Sequence, residues 1–230
     1  MTKKPVIAID GFSSTGKSSI SKIIAKKLGL IHMDTGALYR GITFYAIQNC
    51  LNPDKTIDIS KLLSSLAEMK LEFQNIDGEL QLFLNGKNID KEIRFPQVSD
   101  YVSQVAKEAD VRNFLLKTQR DIANKGGIIM DGRDIGTVVL PDADYKFFMT
   151  ASQDERARRR FLELQAAGEK TDIETVKQNL ISRDKIDSER ELSPLKQADD
   201  AVLIDNTNIN KEETIALILS LSLIHISEPT

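Results

Sequence analysis

The feature that most constrains this chain is a short apolar run, Val6-Ile7-Ala8-Ile9, followed at once by Asp10 and by Gly11-x-x-x-x-Gly16-Lys17-Ser18. The run predicts a buried strand. Ser18–Leu28 (SSISKIIAKKL) places Ile20, Ile23, Ile24 and Leu28 on one helical face, and Gly29 stops it. A glycine-rich turn between strand and helix lets backbone N–H groups turn inward beside the positive end of the helix dipole. That arrangement suits a polyphosphate, with Lys17 reaching its outer phosphates and the Ser18 hydroxyl placed to ligate Mg²⁺. Gly11, Phe12, Ser13, Ser14, Thr15, Gly16, Lys17, Ser18 and Ser19 are therefore the candidate triphosphate cradle.

Further apolar runs at Leu30–Met33, Ile128–Met130, Tyr145–Met149 and Ala201–Ile204 each end at or near a polar residue. Continuous apolar runs fit strands buried on both faces, and helical patterns between them argue for an α/β fold. The expectation is a doubly wound, five-stranded parallel sheet of the P-loop type, carrying a small antiparallel β insert and a helical lid. The insert is read from Leu71–Ile93, where alternation brackets Asp77-Gly78 and Asn85-Gly86 turns. The lid is read from the charged stretch Gln153–Pro194, a helix–turn–helix broken at Gly168. The core thus spans about 1–35, 113–152 and 195–220, the insert about 36–112 and the lid about 153–194. The last helix is expected to end near Leu219, and residues 221–230 read as a non-native tail resembling a translated cloning adapter.

Composition sets limits. With 230 residues and a net charge of -3, nothing global points to nucleic acid or anionic lipid, so any anion site must be a local arginine cluster. The single Cys50 excludes an internal disulfide and a cysteine-rich zinc site, and reads as a buried spectator in a reducing compartment. His32 and His225 read as packing or surface residues. The short N-terminal apolar run does not make a signal peptide, and no apolar stretch is long enough to span a bilayer. A cytoplasmic monomer acting on small molecules, with no nucleic-acid or membrane partner, is expected.

Asp131 ends the third run, where a carboxylate can hold a Mg²⁺ water opposite Ser18. Arg40, Arg112 and Arg133 form one arginine group, and Arg156, Arg160, Arg183 and Arg190 a second. Two groups suggest two anions, because a guanidinium fork matches phosphate and keeps its charge at any working pH. Arg158 and Arg159 read as solvated.

The segments DGFSSTGKSS, DTGALYR (Asp34–Arg40), SQVA (Ser103–Ala106), DGRDIGTVVLPDAD (Asp131–Asp144), ERARRR (Glu155–Arg160) and RDKIDSER (Arg183–Arg190) together resemble bacterial cytidylate kinases, in order along nearly the whole chain. The resemblance implies that Thr35, Tyr39 and Arg40 line a monophosphate pocket and that Arg40 and Arg133 hold the acceptor phosphate. It implies that Ser103, Arg112 and Asp134 read the cytosine edge and that Asp187 accepts from the ribose hydroxyls. Arg156, Arg160, Arg183 and Arg190 would close over the transferring phosphoryl, with Arg190 also at the CMP site. The implied catalytic set is Lys17, Arg133, Arg156, Arg160, Arg183 and Arg190. Thr35 stands where many relatives have serine, and Ile186 where some carry a basic residue. The implied reaction moves the γ-phosphoryl of ATP to CMP, and to dCMP, for pyrimidine nucleotide supply, with Mg²⁺ as cofactor. The alternatives are a kinase for another small acceptor, such as UMP or a shikimate-like acid, and a nucleotide switch without transferase activity.

Overall fold

A computed structural model describes residues 4–77 and 79–224. The central strand is β1 (Val6–Gly11), whose Ile7, Ala8 and Ile9 are fully buried. It pairs in parallel with β6 (Ile128–Gly132) on one side and β7 (Tyr145–Thr150) on the other. The outer strands are β2 (Ile31–Asp34) and β8 (Val202–Asp205), giving the order β2-β6-β1-β7-β8. Each apolar run expected from the sequence is one of these strands. Helices cover both faces, so the inner strands are apolar on both sides, as the unbroken runs require. One core gathers Met33, Leu38, Ile42, Met130 and Ile135, and the other Ile7, Ile9, Ile24, Phe147 and Ile218.

The register decides what the sheet presents at its carboxyl end. Asp34 lies directly beside Asp131, and Ile9 beside Asp131 on the other flank, so polar ends of three strands meet at one rim. This is where ligands bind in open α/β sheets, at the point where strand order reverses.

Helix α1 (Lys17–Leu28) follows β1 through the glycine loop and ends on Gly29 in the left-handed conformation, φ 63°. Gly11 is required by proximity: a Cβ there would lie 2.0 Å from the Met149 carbonyl oxygen of β7.

Between β2 and β6 lies the expected insert. Helix α2 (Thr35–Asn49) leads into α3 (Ile59–Ser65), then β3 (Leu71–Ile76), β4 (Glu79–Leu84) and the short β5 (Lys87–Asn88). These strands form a separate antiparallel sheet in the order β3-β4-β5. The turns fall at Asp77 and at Asn85-Gly86; Gly78 lies outside the described residues. Helices α4 (Pro96–Ala106) and α5 (Ala109–Ala123) return the chain to the core. A Cβ on Gly41 of α2 would meet Leu82 at 2.9 Å and Leu71 at 3.0 Å, so this glycine lets the small sheet rest on α2.

The charged stretch folds as α6 (Gln153–Ala166) and α7 (Ile173–Glu189). Ser152 and Asp172 accept from Glu155 N and Thr175 N and cap the two helix starts. Gly168, φ +81°, makes the turn, and Ala157, Val176 and Leu180 form a small core of their own.

Helix α8 (Lys211–Ile224) runs past the expected end near Leu219. Ser222 is buried and donates to the Ile218 carbonyl at 2.9 Å, and Leu221 packs on the sheet core. No Gly or Pro interrupts this leucine-rich segment, so residues 221–224 continue the helix. Residues 225–230 of the suspected tail, and His225 among them, lie outside the described residues. No helix among the described residues is long and apolar enough to cross a membrane.

Candidate active site

The glycine loop arches over the end of β1. Ser14 adopts φ 60° and Gly16 φ +88°, conformations that turn the loop back before α1 begins. The buried Lys17 folds inward, its Nζ donating to the Phe12 carbonyl at 2.6 Å. Burial pushes the Lys17 ammonium well below its usual range, and the Arg133 cation pushes the same way. Asp131, Asp10 and Asp34 pull it back up. A bound anion would relieve the same strain.

Ser18 Oγ donates to Asp131 Oδ2 at 2.6 Å. The second oxygen, Oδ1, is 2.6 Å from His32 Nε2 on β2. Two hard oxygen donors, one hydroxyl and one carboxylate, fit Mg²⁺, which keeps waters and phosphate oxygens in most of its shell. Among the described residues no group of three or more His, Cys, Asp or Glu could cage a metal. A shared, phosphate-held ion suits this pair better than a resident one.

Asp10 has a role that the sequence did not disclose. Its carboxylate accepts from Ile135 N at 2.8 Å and Gly136 N at 2.7 Å. It thereby pins the turn after β6, in which Leu140 N reaches back five residues to the Ile135 carbonyl. Wide turns of this kind concentrate at functional sites. Here the turn carries Arg133 and Asp134 to the rim.

A cleft of about 1040 Å³ opens between this rim, the insert and α7. Every residue named from the sequence for the CMP side lines it: Thr35, Tyr39, Arg40, Ser103, Arg112, Arg133, Asp134, Asp187 and Arg190. So do Lys17, Ser18, Asp131, Arg160 and Arg183. Thr35 Oγ1 donates to the Asp131 carbonyl at 2.8 Å. Arg112 pairs with Asp134 while its guanidinium stacks 5.3 Å from the centre of the Tyr39 ring. Arg133 donates to Asp187 Oδ2 at 3.0 Å and to Ser13 Oγ at 2.7 Å, linking α7 to the glycine loop. Burial pushes the Asp187 carboxyl up, but Arg133, Arg190 and Arg183 together hold it below the usual carboxylate range.

The arginines are crowded. Burial pushes Arg183 down to about 10, and the neighbouring Arg133, Arg160 and Arg40 cations add to it against the pull of Asp187. Arg40 pairs with Asp34, a residue absent from the sequence-derived site. Arg190 donates through Nε to the Ser193 carbonyl at 2.7 Å, while its Nη2 stands 3.7 Å from Asp134, beyond hydrogen-bond reach. Three buried guanidinium nitrogens, Arg40 Nε, Arg183 Nε and Arg190 Nη2, have no acceptor among the described residues. Buried cationic donors without acceptors are costly, and the three arginines that carry them line the same cleft, which fits an anion of several charges.

Some candidates lie elsewhere. Gly11 and Phe12 line neither this cleft nor its neighbour. Nor does Arg156, which was expected to close over the phosphoryl group. Arg156 is buried, 2.5 Å from Asp184 Oδ2 and 3.3 Å from the Ser13 carbonyl, with its guanidinium 5.1 Å from the Phe12 ring centre. In this arrangement it braces the lid against the back of the glycine loop. Arg159, expected to be solvated, does the reverse. It donates to the Asn206 carbonyl at 2.7 Å and to Asn206 Oδ1 at 3.0 Å, and it pairs with Glu155. Arg158 alone keeps the expected exposed position, paired with Glu155.

Arg158, Arg159, Asn206 and Lys211 line an adjacent cavity of about 650 Å³, with Ser14, Thr15, Gly16 and Ser19 at its floor. Asn206 Nδ2 donates to the Thr15 carbonyl at 2.9 Å. The glycine loop is thus shared by two cavities, one on each side of Arg160. Sequence spacing gave no signal for Asn206, which reaches the loop from the far end of the chain.

The cytidylate kinase family profile matches residues 7–223. Cytidylate kinase from Flavobacterium johnsoniae is 48% identical over 221 residues, 95% of this chain and 96% of the relative. Cytidylate kinase from a Bacillus cereus strain is 45% identical over 221 residues, 96% of this chain and 97% of the relative. Among solved structures, shikimate kinase from Acinetobacter baumannii shares the fold, with a TM-score of 0.51, 13% identity and coverage of 98% of this chain and 96% of that one. The chain therefore belongs to the cytidylate kinase family of nucleoside monophosphate kinases.

Proposed function

We propose that the chain transfers the γ-phosphoryl group of ATP to the phosphate of CMP or dCMP, releasing ADP and CDP or dCDP. The observation that carries this reading is that Arg40, Arg133, Arg160, Arg183 and Arg190 line one cleft with Lys17 and Ser18 of the glycine loop. The family membership selects cytidylate among monophosphates.

The donor would lie along the glycine loop, with its base in the cavity beside Arg158, Arg159 and Asn206. Guanidinium planes stack on a base, and backbone carbonyls accept from its amine. The acceptor phosphate would meet Arg40 and Arg133. Cytosine would face Asp134 and Arg112, because a carboxylate accepts from the exocyclic amine that uracil lacks. Asp187 would accept from the ribose. It is already paired with Arg133, so a deoxyribose leaves no unpaired buried carboxylate. That is the physical reason for including dCMP.

In the transfer, an ionised oxygen of the acceptor phosphate forms a bond to the γ-phosphorus as the bond to the β–γ bridging oxygen breaks. The electron pair leaves on ADP. The attacking oxygen carries no proton to remove at neutral pH, so the residues act by positioning and charge neutralisation. Lys17 and Arg133 would hold the two nucleotides, and Arg160 and Arg183 the charge passing between them. Ser18 and Asp131 would hold Mg²⁺, which when bound supplies neutralisation between the outer phosphates. Helices α6 and α7 would keep water from intercepting the phosphoryl group.

A coupled ADP-release assay across CMP, dCMP, UMP, AMP and GMP tests the reading. CMP and dCMP should give the highest kcat/KM. Preference for a purine monophosphate would overturn it.

A further inference from the structure

We propose that His32 is a positioning residue for the metal-side carboxylate, fixing the Asp131 rotamer that Ser18 and Mg²⁺ require. This rests on the reading of Ser18 and Asp131 as the Mg²⁺-side pair.

The sequence marks His32 as an ordinary packing residue, 99 positions from Asp131. The sheet removes that distance. Asp34 is the register partner of Asp131, and residues two apart on a strand point to the same face, so His32 reaches Asp131 diagonally across β2 and β6. The Nε2–Oδ1 separation is 2.6 Å, and the His32 side chain is 18% exposed at the rim of the cleft. An ionised carboxylate only accepts, so the proton of this bond is on Nε2.

The consequence lies in the division of Asp131 between two partners. Oδ1 accepts from His32, and Oδ2 accepts from Ser18 at 2.6 Å. Thr35 fixes the same residue through its main chain, donating to the Asp131 carbonyl. Without His32, Asp131 keeps one partner on its side chain, Ser18, and the field of buried Lys17, which interacts with Asp131, pulls on the freed oxygen. A carboxylate free to turn would lose the orientation that holds one oxygen toward the serine side. A hydrogen-bond donor behind a ligating carboxylate prevents this, and removing such outer partners costs about 10–100-fold in metal affinity or activity.

The test measures ion retention directly, apart from turnover. Mn²⁺ is titrated into protein saturated with ADP, and unbound Mn²⁺ is followed by electron paramagnetic resonance. His32→Leu, which removes the donor, should weaken Mn²⁺ retention roughly tenfold. It should also raise the Mg²⁺ concentration for half-maximal rate, with the KM for CMP unchanged. His32→Gln, whose amide nitrogen reaches a similar position, should restore both, which a packing role would not predict. Asp131→Asn serves as the reference. If Asp131→Asn loosens Mn²⁺ while His32→Leu does not, His32 has no positioning role and the metal-side reading stands. If neither variant loosens Mn²⁺, the metal-side reading fails and takes this proposal with it.

Discussion

Asp187 on α7 accepts from Arg133 at 3.0 Å, so the second lid helix is tied to the turn that follows β6. With Asp134, which lies between Arg112 and Arg190, this bond brings together the two arginine groups that the sequence kept apart. Around it the Arg133, Arg160 and Arg40 cations repel Arg183. The cleft holds more cationic charge than its carboxylates neutralise locally, which favours anion binding at the expense of unliganded stability.

Replacing Arg183 by Met should therefore separate stability from activity. Charged Arg183 is disfavoured in the folded chain, as its value of about 10 records. The variant should melt higher than wild type without ligand, by about 2–4 °C for each kcal/mol relieved. Its kcat should fall about 10³-fold or more, as loss of a transition-state arginine does, with a smaller rise in the KM for CMP. Differential scanning fluorimetry and initial rates check both halves; unchanged turnover removes Arg183 from the lid chemistry.

Asp134→Ala should erode base choice. The carboxylate pairs with Arg112, and both line the larger cleft. A buried acceptor that recognises an amine discriminates because the wrong base leaves it unpaired. The ratio of kcat/KM for CMP over UMP should drop about tenfold or more, by 1–3 kcal/mol of lost discrimination. Competitive rate measurements decide it, and an unchanged ratio would take Asp134 out of the pocket.

Arg156 should prove structural. It lies against Phe12 and pairs with buried Asp184. Arg156→Met leaves that carboxylate uncompensated and should cost about 3–5 kcal/mol in urea unfolding. Adding Asp184→Leu should recover much of the loss. Failure of the second substitution to recover stability would show that Arg156 does not act through Asp184.

Asp10 gives a pH signature. Burial pushes its carboxyl up to about 6, even though the Gly136 and Ile135 amides hold it down. The folded value exceeds the unfolded one, so the stabilisation is complete below about pH 4 and is lost as pH rises through 6. Wild-type stability relative to Asp10→Asn should fall by on the order of 3 kcal/mol between pH 4 and pH 7. Urea titrations at the two pH values measure it; a constant gap contradicts it.

The fold was legible because its inner strands are buried on both faces and need unbroken apolar runs, and because Gly11, Gly16 and Gly29 punctuate β1 and α1. The insert was legible through alternation and its Asn85-Gly86 turn. Within α6 the phase was not legible. The segment ERARRR is charged on nearly every side, and Ala157 is its only apolar residue, so nothing in it says which arginine turns inward. Arg156 turns toward Phe12 and Arg159 toward Asn206, neither of which the spacing marks. His32 and Asn206 escaped because their partners are set by strand register and chain return, which local spacing does not encode. The end of α8 was placed too early because an unusual composition was read as a break, although no helix-breaking residue stood there.

In the proposed reaction two nucleotides meet with their phosphates head to head in one arginine-lined cleft. Calorimetric titration of a bisubstrate compound, adenosine and cytidine joined by a five-phosphate chain, tests it most directly. One molecule should bind per chain, far more tightly than ATP or CMP alone, with the advantage largely lost in Arg183→Met. Binding no tighter than ATP alone, or an advantage that survives loss of Arg183, would contradict it.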